Sequence, residues 1–189
     1  RDATRPVHGC RGALHLDGLA DVCDGLAARG SKERFLAIMK DPRTGAIGAV
    51  GLILLLLLKY AALLAVPIYL KRATLLLFPL LARFTQVLVM TGARAARSDG
   101  LGLSFLSGIT GTQFSLAAAV TIPLCWLLGH SGGVVALGLT AVWGLAVRRY
   151  FTRRLGGISG DIVGFSSEIA ELLALLAVTA TTTLLTRYL

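Results

Sequence analysis

The sequence predicts an all-α, polytopic membrane bundle of about five spans, and three observations predict it. The 189-residue chain is 55% hydrophobic and only 15% charged, with a mean hydropathy of +0.75, unlike a soluble domain of this size. Its apolar residues come in long blocks rather than short core strands. The longest blocks reach the roughly 20 residues a helix needs to cross the hydrocarbon core. Backbone groups in lipid must be satisfied within the segment, which leaves helices for runs of this length.

Residues 1–45 are polar and mixed in charge. The apolar blocks follow at 46–70, 73–92, 113–128, 134–147 and 165–185. The third and fourth are short, and their spacing predicts a tight helical hairpin around Gly129, Gly132 and Gly133. The chain reads as one integral-membrane catalytic domain, with 1–45 a motif region and 46–189 helices and loops. Basic residues cluster in 1–45, near Arg94 and Arg97, and at Arg148, Arg149, Arg153 and Arg154. With five spans these three groups share one side, which the positive-inside rule assigns to the cytoplasm. The expected location is the bacterial cytoplasmic (inner) membrane, with the motifs facing the cytoplasm.

The formal charge of +9 does not indicate nucleic acid. The Lys and Arg residues sit between apolar blocks, without the aromatic interleaving of single-strand binders. Cys10, Cys23 and Cys125 have neither zinc-ligand nor disulfide-framework spacing and read as scattered small apolar residues. Residues 1–12 are polar and hold no signal-peptide pattern.

Three constellations carry chemistry. In the first, His15-Leu16-Asp17-Gly18-Leu19-Ala20-Asp21-Val22-Cys23-Asp24-Gly25, the aspartates fall at i, i+4 and i+7, on one helical face. Like charges so spaced weaken a helix, which makes sense if a cation neutralises them. Carboxylate oxygens suit Mg²⁺ or Mn²⁺, and Mg²⁺ typically takes one or two carboxylates plus phosphate oxygens. His15 beside them is a candidate general base. The second constellation, Met39-Lys40-Asp41-Pro42-Arg43-Thr44-Gly45-Ala46-Ile47-Gly48, is a polar turn before the first span. Lys40 offers a point charge and Arg43 a fork for phosphate, and the next helix presents its N-terminus to the same place.

The third runs from Arg153 to Glu171, where Asp161, Gly164, Glu168 and Glu171 follow 3-4-3 spacing on one face. The dipole of a helix start accounts for Asp161 but not for glutamates inside an apolar span, which are functional candidates by default. Lys59 and Arg83 interrupt apolar blocks near their middles. Snorkelling explains such residues near an interface. Their central positions suggest pairing with buried carboxylates or with phosphate.

The ordered set LHLDGLADxxDG, MKDxRxGAxG and GGxxGDxxGxxxExxE resembles the cobalamin synthase (adenosylcobinamide-GDP ribazoletransferase) family. The resemblance runs from about residue 12 to the last span, and ARAARSDGLG at 93–102 is similar to a further family stretch. Arg11 and Ala13 flank Gly12 where the family has Thr-Gly-Gly, and Ser159 stands where it has Thr. Family members carry further hydrophobic sequence ahead of the first motif, so the resemblance implies that N-terminal spans of the family are missing from this chain.

The resemblance implies transfer of the cobinamide-phosphate moiety of adenosylcobinamide-GDP to α-ribazole or its 5′-phosphate, with GMP released and Mg²⁺ required. On that reading Asp17, Asp21, Asp24, Asp161 and Glu168 are metal ligands. His15, Asp21, Asp24 and Asp161 are catalytic, and Lys40, Arg43, Lys59 and Arg83 bind phosphate. The expected partners are the two substrates and membrane lipid, with no nucleic acid, and a homo-oligomer is left open. Two alternative readings fit the motifs less well. CDP-alcohol phosphotransferases place an Ala-Arg pair soon after the first Asp-Gly, whereas here Ala20 precedes Asp21. A cation-coupled transporter would place paired half-helices near mid-membrane, without a phosphate-gripping loop.

Overall fold

The computed structural model describes residues 13–28, 30–96 and 109–188. These residues form six α-helices and one 3₁₀ turn. They are α1 (Ala13–Ala27), α2 (Lys32–Ile38), α3 (Ala46–Ala65), the 3₁₀ turn (Ile68–Leu70), α4 (Lys71–Met90), α5 (Gly111–Leu155) and α6 (Gly160–Tyr188). No β-strand is present among the described residues; a single parallel bridge joins Ala95 to Ile158. The all-α membrane bundle expected from composition is the observed fold, with α3 to α6 long and apolar enough to cross a membrane.

The boundaries differ from the hydropathy blocks for local reasons. The first block breaks at Val66, whose extended backbone precedes Pro67, as the residue before a proline prefers. α6 begins at Gly160, five residues before its apolar block, and takes Asp161 into its first turn. α1 and α2 fold the region read as a polar motif segment.

The third and fourth blocks share one 45-residue helix with a non-helical residue, His130 (φ 45°, ψ −131°). A straight helix of that length would run about 67 Å, twice the roughly 30 Å hydrocarbon core. α5 instead folds back on itself. A Cβ on Gly133 would lie 3.4 Å from the Cα of Cys125 and closer still to its carbonyl. Eight residues of straight helix would separate such positions by about 12 Å. The two arms are the expected hairpin, and five apolar segments result.

α6 is the central element: 67% of its membrane-length stretch is buried, against 17% for α3. α1, α3, α4 and α5 all pack on it. One core cluster joins Leu19 and Val22 of α1, Phe35 of α2, and Phe151 and Leu155 of α5 to Ile162 of α6. A second joins Leu77 and Leu81 of α4 to Cys125 and Ala136 of α5 and to Ala174 of α6.

The connections sort to two ends. At one end the Asp24 carboxylate meets the start of α3, α1 crosses the start of α6, and the segment after α4 pairs with the α5–α6 loop. At the other, Tyr69, His130 and Thr181 line one cleft of about 280 Å³.

Candidate active site at the motif-bearing end

α1 lies across the first turns of α6, and glycine permits the approach. A Cβ on Gly18 would sit 2.7 Å from the Asp161 carbonyl oxygen, and one on Gly164 would sit 3.1 Å from the His15 Cα. No other residue fits these crossings without displacing backbone. Gly18 lies between Asp17 and Asp21, so the same contact brings Asp161 alongside the aspartate face of α1. The Ser159 hydroxyl approaches the Asp161 carboxylate at 3.4 Å. The first and third motifs therefore meet, as the sequence suggested.

Asp24 occupies a different position. Its Oδ2 accepts from the Gly45 amide and its Oδ1 from the Gly48 amide, each at 2.7 Å. Gly45 is the N-cap residue of α3 and has no side chain to cap with. Asp24 supplies the cap from 21 residues away, satisfying orphan amides at the positive end of the helix. The anion site expected at this helix start is thus filled by the protein's own carboxylate. That ties the second motif to the first.

Arg43 folds onto Asp41. Its amide and Nε donate to Asp41 Oδ1, and its Nη2 donates to Oδ2, all at 3.0 Å. These hydrogen bonds hold the Asp41 carboxyl below its ordinary range. The pair is exposed, with 87% of the Arg43 side chain accessible. Solvent screens an exposed pair and leaves it weak, so phosphate can compete for the guanidinium. Lys40 is exposed in the same turn.

Further polar contacts tie the helices together, with Lys59 half-buried and Arg83 exposed. The Lys59 ammonium of α3 donates to Glu168 Oε2 at 2.5 Å and to Glu171 Oε2 at 2.7 Å, both on α6. Of the two partners the sequence left open for Lys59, the structure shows carboxylates. Glu168, expected as a metal ligand, is committed to this ammonium.

Arg83 of α4 meets His15 with Nη1 2.6 Å from Nε2, and the same Nη1 donates to Gln86 Oε1 at 3.1 Å. Arginine only donates, so His15 Nε2 accepts, which leaves a neutral ring's proton on Nδ1. Burial, then the adjacent Arg83 charge, holds the His15 pKa below its ordinary 6.5. The nitrogen that would take a proton is therefore already engaged. Gln86, 8% exposed and 3.4 Å from the same nitrogen, was missed in the sequence. Its only signal was a second polar residue one turn beyond Arg83.

Among the described residues, no three His, Cys, Asp or Glu side chains already converge on one metal position. Asp17, Asp21 and Asp161 nevertheless offer hard oxygen donors around one crossing, Asp17 exposed and Asp21 and Asp161 half-exposed. This suits an ion that takes its remaining ligands from substrate phosphates. Cys23 and Cys125 are unpaired, and burial, with Asp24 adjacent, pushes the Cys23 thiol up. Cys10, residues 1–12 and the 97–102 part of the fourth similar stretch lie outside the described residues. Its 94–96 part is bound in place: Ile158 N donates to the Arg94 carbonyl at 2.8 Å, and Ala96 N to the Ile158 carbonyl at 2.9 Å.

No solved structure matches this chain. It is 52% identical over 169 residues to the adenosylcobinamide-GDP ribazoletransferase of Geotalea daltonii, covering 89% of this chain and 68% of the relative. It is 41% identical over 161 residues to the protein of the same name from Stutzerimonas stutzeri, covering 85% and 65%. For the Roseiflexus protein of that name the identity is 39% over 166 residues, covering 88% and 62%. The chain thus spans about two thirds of the length of these relatives. Residues 7–179 match the family described as cobalamin-5-phosphate synthase, and the chain belongs to that family.

Proposed function

We propose that this protein transfers the cobinamide-phosphate moiety of adenosylcobinamide-GDP to α-ribazole or its 5′-phosphate. The ribazole hydroxyl oxygen bonds to the phosphorus that bears cobinamide, the bond from that phosphorus to the GMP oxygen breaks, and GMP leaves with the electron pair. The product is adenosylcobalamin or its 5′-phosphate. The observation that carries this reading is the meeting of three distant motifs at one end of the bundle. Gly18 rests on Asp161, and Asp24 holds the start of α3 and the turn before it. The names of the relatives support it.

Phosphoryl transfer is largely positioning plus charge neutralisation. Asp17, Asp21 and Asp161 would hold Mg²⁺, which supplies neutralisation of the phosphate charge when bound. Lys40 and Arg43, on the turn fixed by Asp24, lie at the rim to grip the pyrophosphate, with Arg43 exchanging Asp41 for a phosphate oxygen. The hydroxyl proton passes to an α1 carboxylate rather than to His15, whose Nε2 accepts from Arg83. Lys59 and Arg83 act by holding the helices: Lys59 locks α3 to α6, and Arg83 locks His15 and so α1. Asp24 acts as a positioning residue. We place the motif end at the cytoplasmic face of the bacterial inner membrane, on the strength of the arginines at that end.

Asp17→Asn and Asp21→Asn test the assignment. Each should lower turnover by at least 100-fold, on the scale of a lost charge-stabilising group, while insertion into membranes and thermal unfolding stay as in the parent. Turnover within a few-fold of the parent would remove the carboxylate from the chemistry.

A further inference from the structure

The second arm of α5 carries a feature that the transfer reaction does not use. Val135, Leu139, Val142, Ala146, Arg149 and Arg153 follow alternating steps of four and three, so they form one stripe. All six are exposed among the described residues. Val147, Phe151 and Leu155 on the opposite face are buried in the core. The apolar part of the stripe, 135 to 146, rises about 16 Å. That is close to half of a roughly 30 Å hydrocarbon core, the depth of one leaflet.

The two arginines then project one turn apart where the apolar part ends. Open recesses flank them, one of about 540 Å³ bordered by Ala146, Tyr150 and Arg154, the other of about 480 Å³ bordered by Leu145, Arg148 and Thr152. Arg154 is already engaged, with Nη1 on the Tyr150 hydroxyl at 2.5 Å and its guanidinium 5.0 Å over the Phe35 ring. Among the described residues no carboxylate pairs with Arg148, Arg149 or Arg153, and residues 146–160 contain no Asp or Glu. The negative end of the helix dipole explains basic residues in the last turn. It does not explain Arg148 and Arg149, or the alignment of arginines with an apolar stripe of leaflet length.

We infer that this stripe binds an anionic glycerophospholipid, one acyl chain along Val135–Ala146 and the headgroup phosphate between Arg149 and Arg153. The occupant is a membrane lipid rather than a soluble phosphate, because the arginines continue an apolar stripe on the face turned away from the core.

The full chain, purified in a neutral detergent, would be given equal amounts of phosphatidylglycerol and phosphatidylcholine with identical acyl chains. Retained lipid would be counted by native mass spectrometry. The parent should retain phosphatidylglycerol over phosphatidylcholine by roughly tenfold. Arg149→Gln and Arg153→Gln should each lower that ratio, and the double variant should bring it near one. Arg149→Lys/Arg153→Lys should keep most of it, and Lys71→Gln/Arg72→Gln at the other end of the bundle should leave it unchanged. Equal retention of both lipids by the parent would overturn the inference, as would a preference surviving in both single glutamine variants. Displacement of the lipid by millimolar inorganic pyrophosphate would also overturn it, since the arginines would then serve a soluble ligand.

Discussion

Lys59 places a positive charge in a helix whose other residues are almost all apolar, and its surroundings explain why that is tolerated. Its side chain is 14% exposed and lies against Glu168 and Glu171, at 9% and 23%. Removing one partner of a buried pair costs about 3–5 kcal/mol, mostly through the charge left behind. Lys59→Met should therefore lower stability by roughly 3 kcal/mol, read from thermal unfolding in detergent. Lys59→Met/Glu168→Gln/Glu171→Gln should recover most of that loss. If the single variant is as stable as the parent, the triad is not holding α3 to α6.

His15 gives a pH signature. Its folded-state pKa lies below the ordinary 6.5, through burial and then Arg83. The unfolded chain consequently binds the proton more readily, and stability rises with pH across that interval. The contribution is complete above about 6.5 and is lost as pH falls from there through the folded-state value. His15→Gln, which can still accept from Arg83 but does not titrate, should flatten the fall in unfolding temperature below pH 6.5. An equally steep fall in the variant would assign the pH dependence elsewhere.

Side-chain roles were only partly legible beforehand. The spacing of Asp17, Asp21 and Asp24 marks one helical face, yet the structure splits them. Asp24 caps α3, and Asp17 and Asp21 flank the crossing at Gly18. A spacing rule reports the face of a helix, not what is packed against it. Gln86 was invisible for the same reason, since its role exists only once α1 is laid against α4.

At the scale of elements, glycine sets the architecture. The Gly18–Asp161 and Gly164–His15 contacts press α1 onto α6 at backbone distance, so no side-chain rearrangement can make room. Gly18→Val should separate the first and third motifs and abolish turnover. Gly138→Ala, at a glycine whose added Cβ would meet nothing within 4 Å, should leave turnover unchanged. Measuring both in the same membranes distinguishes the crossing from a general intolerance of glycine replacement. Equal activity in the two variants would mean that the crossing does not position the site.

The α5 hairpin was legible because glycines cluster between two blocks too short to span alone. Its pivot was not. His130 takes a left-handed φ of 45°, which hydropathy does not encode. The short helix α2 was also hidden, because a polar helix of seven residues carries little apolar periodicity and its helicity comes from packing against the bundle.

At the scale of the molecule, the apolar blocks were enough for the fold class, and the order of the connections was enough for which loops share an end. Distances within the site were not accessible, since they depend on crossings between segments more than 100 residues apart, such as Lys59 with Glu168. What the fold delivers is a polar gradient down one end. Lys40 and Arg43 stand at the rim, Asp17, Asp21 and Asp161 lie at the crossing, and the Lys59–Glu168–Glu171 network lies deeper. Such an arrangement would let phosphates enter from water and meet the carboxylates while the layer below keeps the helices in register. On the proposed function, the exposed cations would capture the anionic substrate and the carboxylates at the crossing would hold the metal ion.

The most direct measurement supplies adenosylcobinamide-GDP, α-ribazole 5′-phosphate and Mg²⁺ to the membrane-inserted protein, and follows GMP and cobamide by chromatography with and without EDTA. GMP and cobamide should appear in equal amounts, and only when the metal is available. A folded, membrane-inserted protein that forms neither product, or forms both undiminished in EDTA, would contradict metal-dependent transfer at this site.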